Sequence, residues 1–237
     1  MDKSPKTIGG MFDRIAPTYD LLNHLLSFFI DIKWRRKTLS RLEIKQGDSI
    51  LDVATGTGDL AMLALGGNRD CRVVGIDLSG EMLRLAVKKK ARKGYDGRYF
   101  PVEGDACNMP FKQGTFDHAM VAFGIRNMSD VEGFFRETGR VLKKSGRFAI
   151  LELSVPEIRF VRKIYFMHLK KLIPLIGGGI SGKAGSYCYL RDSVISFHTP
   201  GELERMLRAH GFRIIESLPL WFGMCHLFVA ESERSFT

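Results

Sequence analysis

The chain has 237 residues, 45% of them apolar, and a formal net charge of +10. That length builds one domain with a substantial core and some elaboration, and no uncharged run approaches the ~18 residues that a membrane-spanning helix needs. The start lacks a basic-plus-apolar secretory pattern, and Cys71, Cys107, Cys188 and Cys225 form neither a close pair nor a metal-ligand spacing, so a cytoplasmic protein with reduced thiols and no metal is expected.

In chain order, 8–44 reads as two helices broken near Asp31 and carries the first basic cluster, Lys33, Arg35, Arg36, Lys37 and Arg41. The apolar stretch Ser49–Val53 reads as a buried parallel strand, which runs into Ala54-Thr55-Gly56-Thr57-Gly58-Asp59 before a helix opens at Leu60. Gly56 and Gly58 lack Cβ, so the backbone can turn sharply there and a ligand can lie against it. In a doubly wound sheet this first strand-to-helix turn is where a nucleotide-like cofactor sits. The spelling G-x-G-x-x-A also satisfies a loose dinucleotide fingerprint. The acids decide between the two: Asp52 ends the strand and Asp59 stands where a pyrophosphate would dock. Carboxylates there repel a phosphate and attract the sulfonium and amino groups of S-adenosylmethionine.

The next apolar run, 71–77, ends in Asp77, placed to accept both ribose hydroxyls as a bidentate pair. Residues 84–93 hold six bases and no acid and read as the solvated face of a helix, with Met82, Leu85 and Ala86 turned inward. A third strand, 98–104, ends in Gly104-Asp105-Ala106, which sets another acid beside the adenine edge. Any one of these acids taken singly is better read as a solvated loop residue or helix cap; three at the ends of three successive strands point to a site.

Strands are expected over 116–123 and 147–153, with a helix at 131–143 between them that starts on a Ser129/Glu132 capping box. A second box, Thr199 with Glu202, starts a helix that ends at Gly211. Strands 212–218 and 226–231, joined by a short link, are antiparallel neighbours. The sum is an α/β, Rossmann-like fold: a seven-stranded, mostly parallel sheet closed by a C-terminal antiparallel hairpin, as in class I S-adenosylmethionine-dependent methyltransferases. A dinucleotide fold would instead repeat its half-unit. Within this single domain, 8–44 and 155–197 lie outside the strand–helix alternation and are the natural helical cap and inserted lid over the carboxyl ends of the strands. Over 158–173, Val161, Ile164, Tyr165, Leu169 and Leu172 share one helical face, with Arg159, Arg162, Lys163 and Lys170 toward the other and Lys171 at its edge. Such a helix fits the headgroup plane of an anionic membrane or the surface of the domain equally well. Gly177-Gly178-Gly179 follows as a flexible turn.

Several longer strings are more specific. They are Phe12-Asp13-Arg14-Ile15-Ala16-Pro17-Thr18-Tyr19-Asp20, then Leu22-Asn23, Ser27 and Trp34, then Phe123-Gly124-Ile125-Arg126-Asn127. Later come Leu151-Glu152-Leu153-Ser154 and Tyr187-x-Tyr189-Leu190-x-x-Ser193-Val194-x-x-Phe197. Through them the chain resembles the quinone-biosynthesis C-methyltransferases, which methylate demethylmenaquinol and, in some members, a ubiquinol precursor. Departures are Ala122 for a frequent Ser, Asp31 for a common His, Phe29 for a common Gly, and Lys144-Ser145 for a usual Pro-Gly.

The resemblance implies that Thr57, Asp77, Asp105 and Ala106 contact S-adenosylmethionine, and that Tyr19, Arg126 and Asn127 lie on the substrate side. Ring methylation needs a phenolate that pushes charge onto the adjacent carbon. Arg126 is suited to stabilise it, unless it forms a structural salt bridge across the sheet end. Asn127 would orient the quinol or a water, and Tyr19 or Asp105, directly or through water, would help remove the ring proton. A polyprenyl quinol resides in the bilayer, so peripheral contact with the inner face of the membrane is implied, and a homo-oligomer is compatible with the sequence. Nucleic acid is not expected, because neither Asn/Asp-Pro-Pro-Tyr/Phe nor a Pro-Cys nucleophile occurs. The competing readings are the ubiquinol precursor or another small molecule as substrate, a nicotinamide-dependent dehydrogenase, and a basic RNA-binding protein on the same fold.

Overall fold

The computed structural model describes residues 3–27, 29–67, 70–176, 189 and 192–233. Helices α1 (Pro5–Leu26) and α2 (Ile30–Arg41) precede β1 (Ser49–Val53), α3 (Asp59–Leu65), β2 (Arg72–Asp77), α4 (Gly80–Lys93) and β3 (Tyr99–Glu103). Then come β4 (Phe116–Ala122), a 3-10 turn at Ile125–Asn127, α5 (Val131–Val141), β5 (Leu142–Leu153) and α6 (Arg159–Ile176). The chain continues through α7 (Pro200–Ala209), β6 (Phe212–Leu220), a 3-10 turn at Trp221–Gly223 and β7 (Cys225–Ser232).

The seven strands form one sheet in the order β3-β2-β1-β4-β5-β7-β6. The first five run parallel, and β7 pairs antiparallel with both β5 and β6, as the short β6–β7 link requires. Order reverses at β1, so the carboxyl ends of β1 and β4 flank a crevice. Alternation along β1 feeds both sides of the sheet. Leu51 and Val53 join Phe134 and Phe135 of α5 and Leu203 and Leu207 of α7, while Ile50 joins Leu39 of α2, Leu60 of α3 and Ala86 of α4. β1 and its inner neighbours therefore form a rigid floor buried on both faces.

The structure corrects several boundaries. The break near Asp31 is present, with α1 ending at Leu26 and α2 starting at Ile30. Asp31 is buried in the first turn of α2 and stitches the break, accepting from the Ser27 hydroxyl at 2.6 Å and meeting His24 Nδ1 at 2.9 Å. Helix α5 is capped by Asp130, whose carboxylate accepts from Gly133 N at 2.8 Å, so Ser129 and Glu132 form no box there. An Asp one residue closer to the helix reaches the same orphan N–H groups. The Thr199/Glu202 box is present as expected. On α4 the third inward residue is Leu83, with Leu85 half-buried. β5 begins five residues early, because it takes in an irregularity between the Phe116–Leu142 and His118–Arg147 pairs. On α6 the expected apolar face divides: Tyr165 is buried, whereas Ile164 is exposed beside Phe160, which is 73% exposed. The side chains of Leu169, Lys170, Lys171 and Leu172, and residues Gly177, Gly178, Gly179, Tyr187, Cys188 and Leu190, lie outside the described residues. No helix among the described residues is long and apolar enough to cross a membrane.

Two of the sequence departures acquire a physical meaning. Phe29 and Ser145 replace glycines common in the resembling family, and both sit in the left-handed region, at φ 58° and 59°. A Cβ costs about 1–2 kcal/mol there. Ser145 is exposed and contributes nothing to the core. Ser145→Gly should therefore stabilise the protein by about 0.5–1 kcal/mol, since relief of strain exceeds the added entropy of the unfolded chain. A urea midpoint unchanged or lowered would show that the turn carries no such strain.

Candidate active site

The carboxyl ends of β1, β2, β3 and β4 open into a cavity of about 720 Å³, counting the open solvent at its mouth. Gly56, Asp77, Asp105, Ala106, Phe123 and Asn127 line it from the sheet side, and Lys3, Ile8, Phe12 and Tyr19 from α1 and its approach. A smaller polar cavity adjoins it, lined by Arg35, Asp52, Thr55, Thr57 and Asp59, with Tyr19, Ala54, Gly56 and Ala122 shared between the two.

The crevice is shaped by strained backbone at the ends of β1 and β4. Ala54 and Phe123 both have positive φ, 50° and 62°, although neither is glycine. They are brought together because Gly124 has no side chain; a Cβ there would lie 2.6 Å from the Ala54 Cβ. Gly56, at φ 56°, faces the cavity, with the Tyr19 ring 3.9 Å from where its Cβ would be. Gly58 does something else. Its missing Cβ makes room for Met62 and Ala86, so it serves the packing of α3 on α4 rather than the approach of a ligand.

The acids divide by environment. Asp77 Oδ2 accepts from Gly56 N at 2.8 Å and Oδ1 from Ser79 N at 2.9 Å, leaving lone pairs on both oxygens toward the cavity. Burial raises its pKa against these bonds. Asp105 Oδ1 accepts from Cys107 N at 2.8 Å. Asp52 is almost wholly buried and accepts from the Thr55 hydroxyl at 2.6 Å, which in turn meets the Tyr99 hydroxyl at 3.1 Å. Burial pushes the Asp52 carboxyl up from 3.8 to about 7, against the Thr55 bond and the Arg35 charge.

Asp59 does not act as expected. Lys89, on the helix face read as solvated, turns inward and joins Asp59, Asp20 (2.9 Å) and the Thr57 hydroxyl (3.0 Å). Burial alone would raise Asp59, but the Lys89 and Arg35 charges hold it below its ordinary value. Asp59 thus shares one ammonium with Asp20 and is engaged within the protein rather than held open for a ligand. The Thr57 hydroxyl is likewise committed, accepting from Lys89 and donating to Asp20 at 2.6 Å.

These bonds fasten α1 over the cavity. Asp20 holds its end to the glycine loop. Asp13, midway, accepts from the Ser79 hydroxyl at 2.6 Å and Glu81 N at 3.2 Å, at the start of α4. Lys3, just before α1, donates to the Arg126 carbonyl at 2.8 Å.

Arg126 lies behind the cavity wall rather than in it. Its Nη1 pairs with Glu152 Oε1 at 2.7 Å and reaches the Phe123 carbonyl at 2.6 Å, and Glu152 also accepts from the Arg126 backbone N–H at 3.2 Å. Burial opposes the guanidinium charge, Glu152 supports it, and the balance stands above the ordinary value. Among the described residues, Arg126 Nε has no partner. The salt bridge across the sheet end is therefore present. Asn127 does face the cavity, and its Oδ1 accepts from the Tyr189 hydroxyl at 3.0 Å. Burial raises the Tyr19 hydroxyl and the Arg126 charge opposes that rise. Residues missed from sequence are Lys89, Glu152, Arg35 and Tyr99. Glu152 stood in a quoted string without a role, and the others pair across elements far apart in the chain. No group of three metal-ligating side chains occurs among the described residues.

A profile of the ubiE/COQ5 methyltransferase family matches residues 1–231. The demethylmenaquinone methyltransferase of Thermotoga maritima is 41% identical over 230 residues, covering 97% of each chain. The ubiquinone/menaquinone biosynthesis C-methyltransferase UbiE of Geotalea uraniireducens is 39% identical over 93% of this chain and 94% of its own. A crystal structure of a SAM-dependent methyltransferase from Aquifex aeolicus superposes with a TM-score of 0.61 at 20% identity, over 83% of this chain and 88% of that one, a likeness of fold.

A pH dependence follows from Asp52. Its folded pKa lies above the unfolded value, so its contribution to stability is complete below about pH 4 and is lost as pH rises through about 7. Asp52→Asn stays neutral throughout. Relative to this variant, ligand-free wild type should lose on the order of 1.4 kcal/mol per pH unit within that window. Parallel urea-midpoint profiles for the two proteins would show that Asp52 is an ordinary acid.

Proposed function

The chain belongs to the ubiE/COQ5 methyltransferase family, and on that premise we propose that it transfers a methyl group from S-adenosylmethionine to a ring carbon of a polyprenylated quinol, demethylmenaquinol before the ubiquinol precursor. The observation that carries this reading is the pair of cavities at the reversal of strand order, walled by Asp77, Asp105, Tyr19 and Asn127. The fit to the donor is chemical. Asp77 keeps acceptor capacity for two ribose hydroxyls, Asp105 and Ala106 border the place of the base, and Asp52 offers a carboxylate to an ammonium group. Bound there, S-adenosylmethionine supplies an electrophilic methyl group.

The chain's own residues do the rest. Asn127, anchored by Tyr189, orients the quinol oxygen. Arg126 acts through its field rather than by contact, since a buried positive charge behind the wall lowers the cost of a phenolate in front of it. Burial keeps Tyr19 a neutral hydroxyl at neutral pH, suited to relaying the ring proton, with Asp105 as the base. As part of the same reading, residues 8–44 are the helical cap and 155–197 the lid of one domain. Phe160 and Ile164, exposed beside Arg159 and Lys163 on α6, are the contact with an anionic membrane that brings the quinol within reach.

Labelled S-adenosylmethionine offered with reduced demethylmenaquinol and with the demethylated ubiquinol precursor tests the reaction. Label should enter demethylmenaquinol, and faster from anionic vesicles than from detergent. Donor binding without transfer to either quinol would remove the substrate assignment, and equal rates in both carriers would remove the membrane contact. Arg126→Gln, which removes the positive charge and keeps a hydrogen-bonding side chain, should keep donor affinity while turnover falls by about 10²-fold. Unchanged turnover would leave Arg126 a purely structural residue.

A further inference from the structure

Three aromatic side chains stand on backbone that does not favour them. Phe29, at the α1–α2 break, and Trp221 and Phe222, in the β6–β7 link, have φ of 58°, 47° and 58°. The left-handed region is costly for bulky side chains, and strain kept at one place points to a use for it. Burial is not that use, because Phe222 is 70% exposed, Phe29 51% and Trp221 42%.

The two turns are neighbours. Ile30 follows Phe29, Leu220 precedes Trp221, and both join one apolar cluster, while the Trp34 ring of α2 meets the Trp221 ring at 6.3 Å. The approach to α6 lies alongside. The Ser154 hydroxyl donates to the Gly223 carbonyl at 2.8 Å, and Ser154 N donates to the Met224 carbonyl at 3.1 Å. Phe222 therefore adjoins the segment that leads to Ile158 and Phe160, both exposed. Trp34 also meets Phe123, which lines the larger cavity, so the exposed rings are two ring contacts from it.

Charge identifies the partner. Across 29–41 and 154–164 seven bases are exposed against one acid, Glu157, so the ground around the rings is positive. Among the described residues no acid pairs with Lys33, Arg36 or Lys37. Exposed aromatic rings among bases suit the headgroup layer of an anionic bilayer, whereas protein–protein contacts are poor in Lys. We propose that Phe29, Trp221 and Phe222 form a second membrane anchor, which enters an anionic lipid surface beside the start of α6. The inference rests on the membrane contact proposed for α6 and adds two further elements to it.

Cosedimentation with phosphatidylcholine–phosphatidylglycerol vesicles, without methyl donor or quinol, reads binding apart from the reaction. Phe222→Asn removes the ring and tolerates the left-handed backbone. It should weaken vesicle binding by about 10-fold and leave the urea midpoint unchanged or raised. Phe29→Gly, which relieves the same strain, should act in the same direction and carries the test if Phe222→Asn is unstable. Lys33→Gln with Lys37→Gln should weaken binding to these vesicles by about 10-fold and to pure phosphatidylcholine vesicles by less than about twofold. Undiminished binding by Phe222→Asn would overturn the anchor, and if Phe160→Ser alone weakens binding, the α6 contact stands without it. Wild-type protein that binds no vesicle would remove both contacts and leave the reaction to its own test. Self-association lost in Phe222→Asn while vesicle binding persists would assign the rings to a second copy of the chain instead.

Discussion

The Lys89 ammonium ties three separate parts of the chain to a fourth. It joins Asp20 of α1, Thr57 of the glycine loop and Asp59 of α3, all from α4. Each of the four groups is partly buried, so removing any one would leave a charge or a hydroxyl with poor solvation and a missing partner. The position of α1 follows from this cluster together with the Asp13 bonds, and α1 is one wall of the larger cavity. Tyr19 precedes Asp20 in the chain, so the bond that anchors the helix also sets the Tyr19 ring beside Gly56. The wall and the loop are thus one electrostatic unit.

Arg126 and Glu152 form a second such unit at the far side of the crevice. A buried ion pair contributes little net stability, because desolvation offsets the Coulomb gain. Its effect is on geometry. Glu152 takes the Arg126 backbone N–H as well as its side chain, and Arg126 Nη1 also closes on the Phe123 carbonyl. The strained turn from Phe123 to Asn127 is thereby tied to β5, and Asn127 is presented to the cavity from a fixed frame. Lys3 closes on the same turn through the Arg126 carbonyl, so α1 is latched at both units.

The fold was legible in the sequence because its signals are local and periodic. Apolar runs at regular spacing, a glycine turn after the first of them and a short link before the last gave all seven strands and the closing hairpin. Helix starts were less secure, since Ser129 and Asp130 are both good capping residues in adjacent positions and the structure uses Asp130. In the site, cavity-facing Gly56, Asp77, Asp105, Ala106, Tyr19 and Asn127 were named from strand ends and from the resembling family. Roles that depend on pairing were misread or missed. Lys89 looked like one of six solvated bases, and nothing local in the sequence reveals that its partners lie 30 and 69 residues away.

Asp59 shows how an argument can be unsound while the class it supports still stands. A lone carboxylate at a helix start does repel a phosphate. Here it shares Lys89 with Asp20 and is engaged inside the protein, so exclusion of a dinucleotide does not rest on it alone. What excludes a dinucleotide fold is topological: β7 inserts antiparallel between β5 and β6, where a second parallel half-unit would have to continue the sheet. Family membership supports the same class independently. Arg35 and Asp52 both line the smaller cavity beside the loop, so the glycine turn by itself does not set the sign of the charge that a ligand meets there.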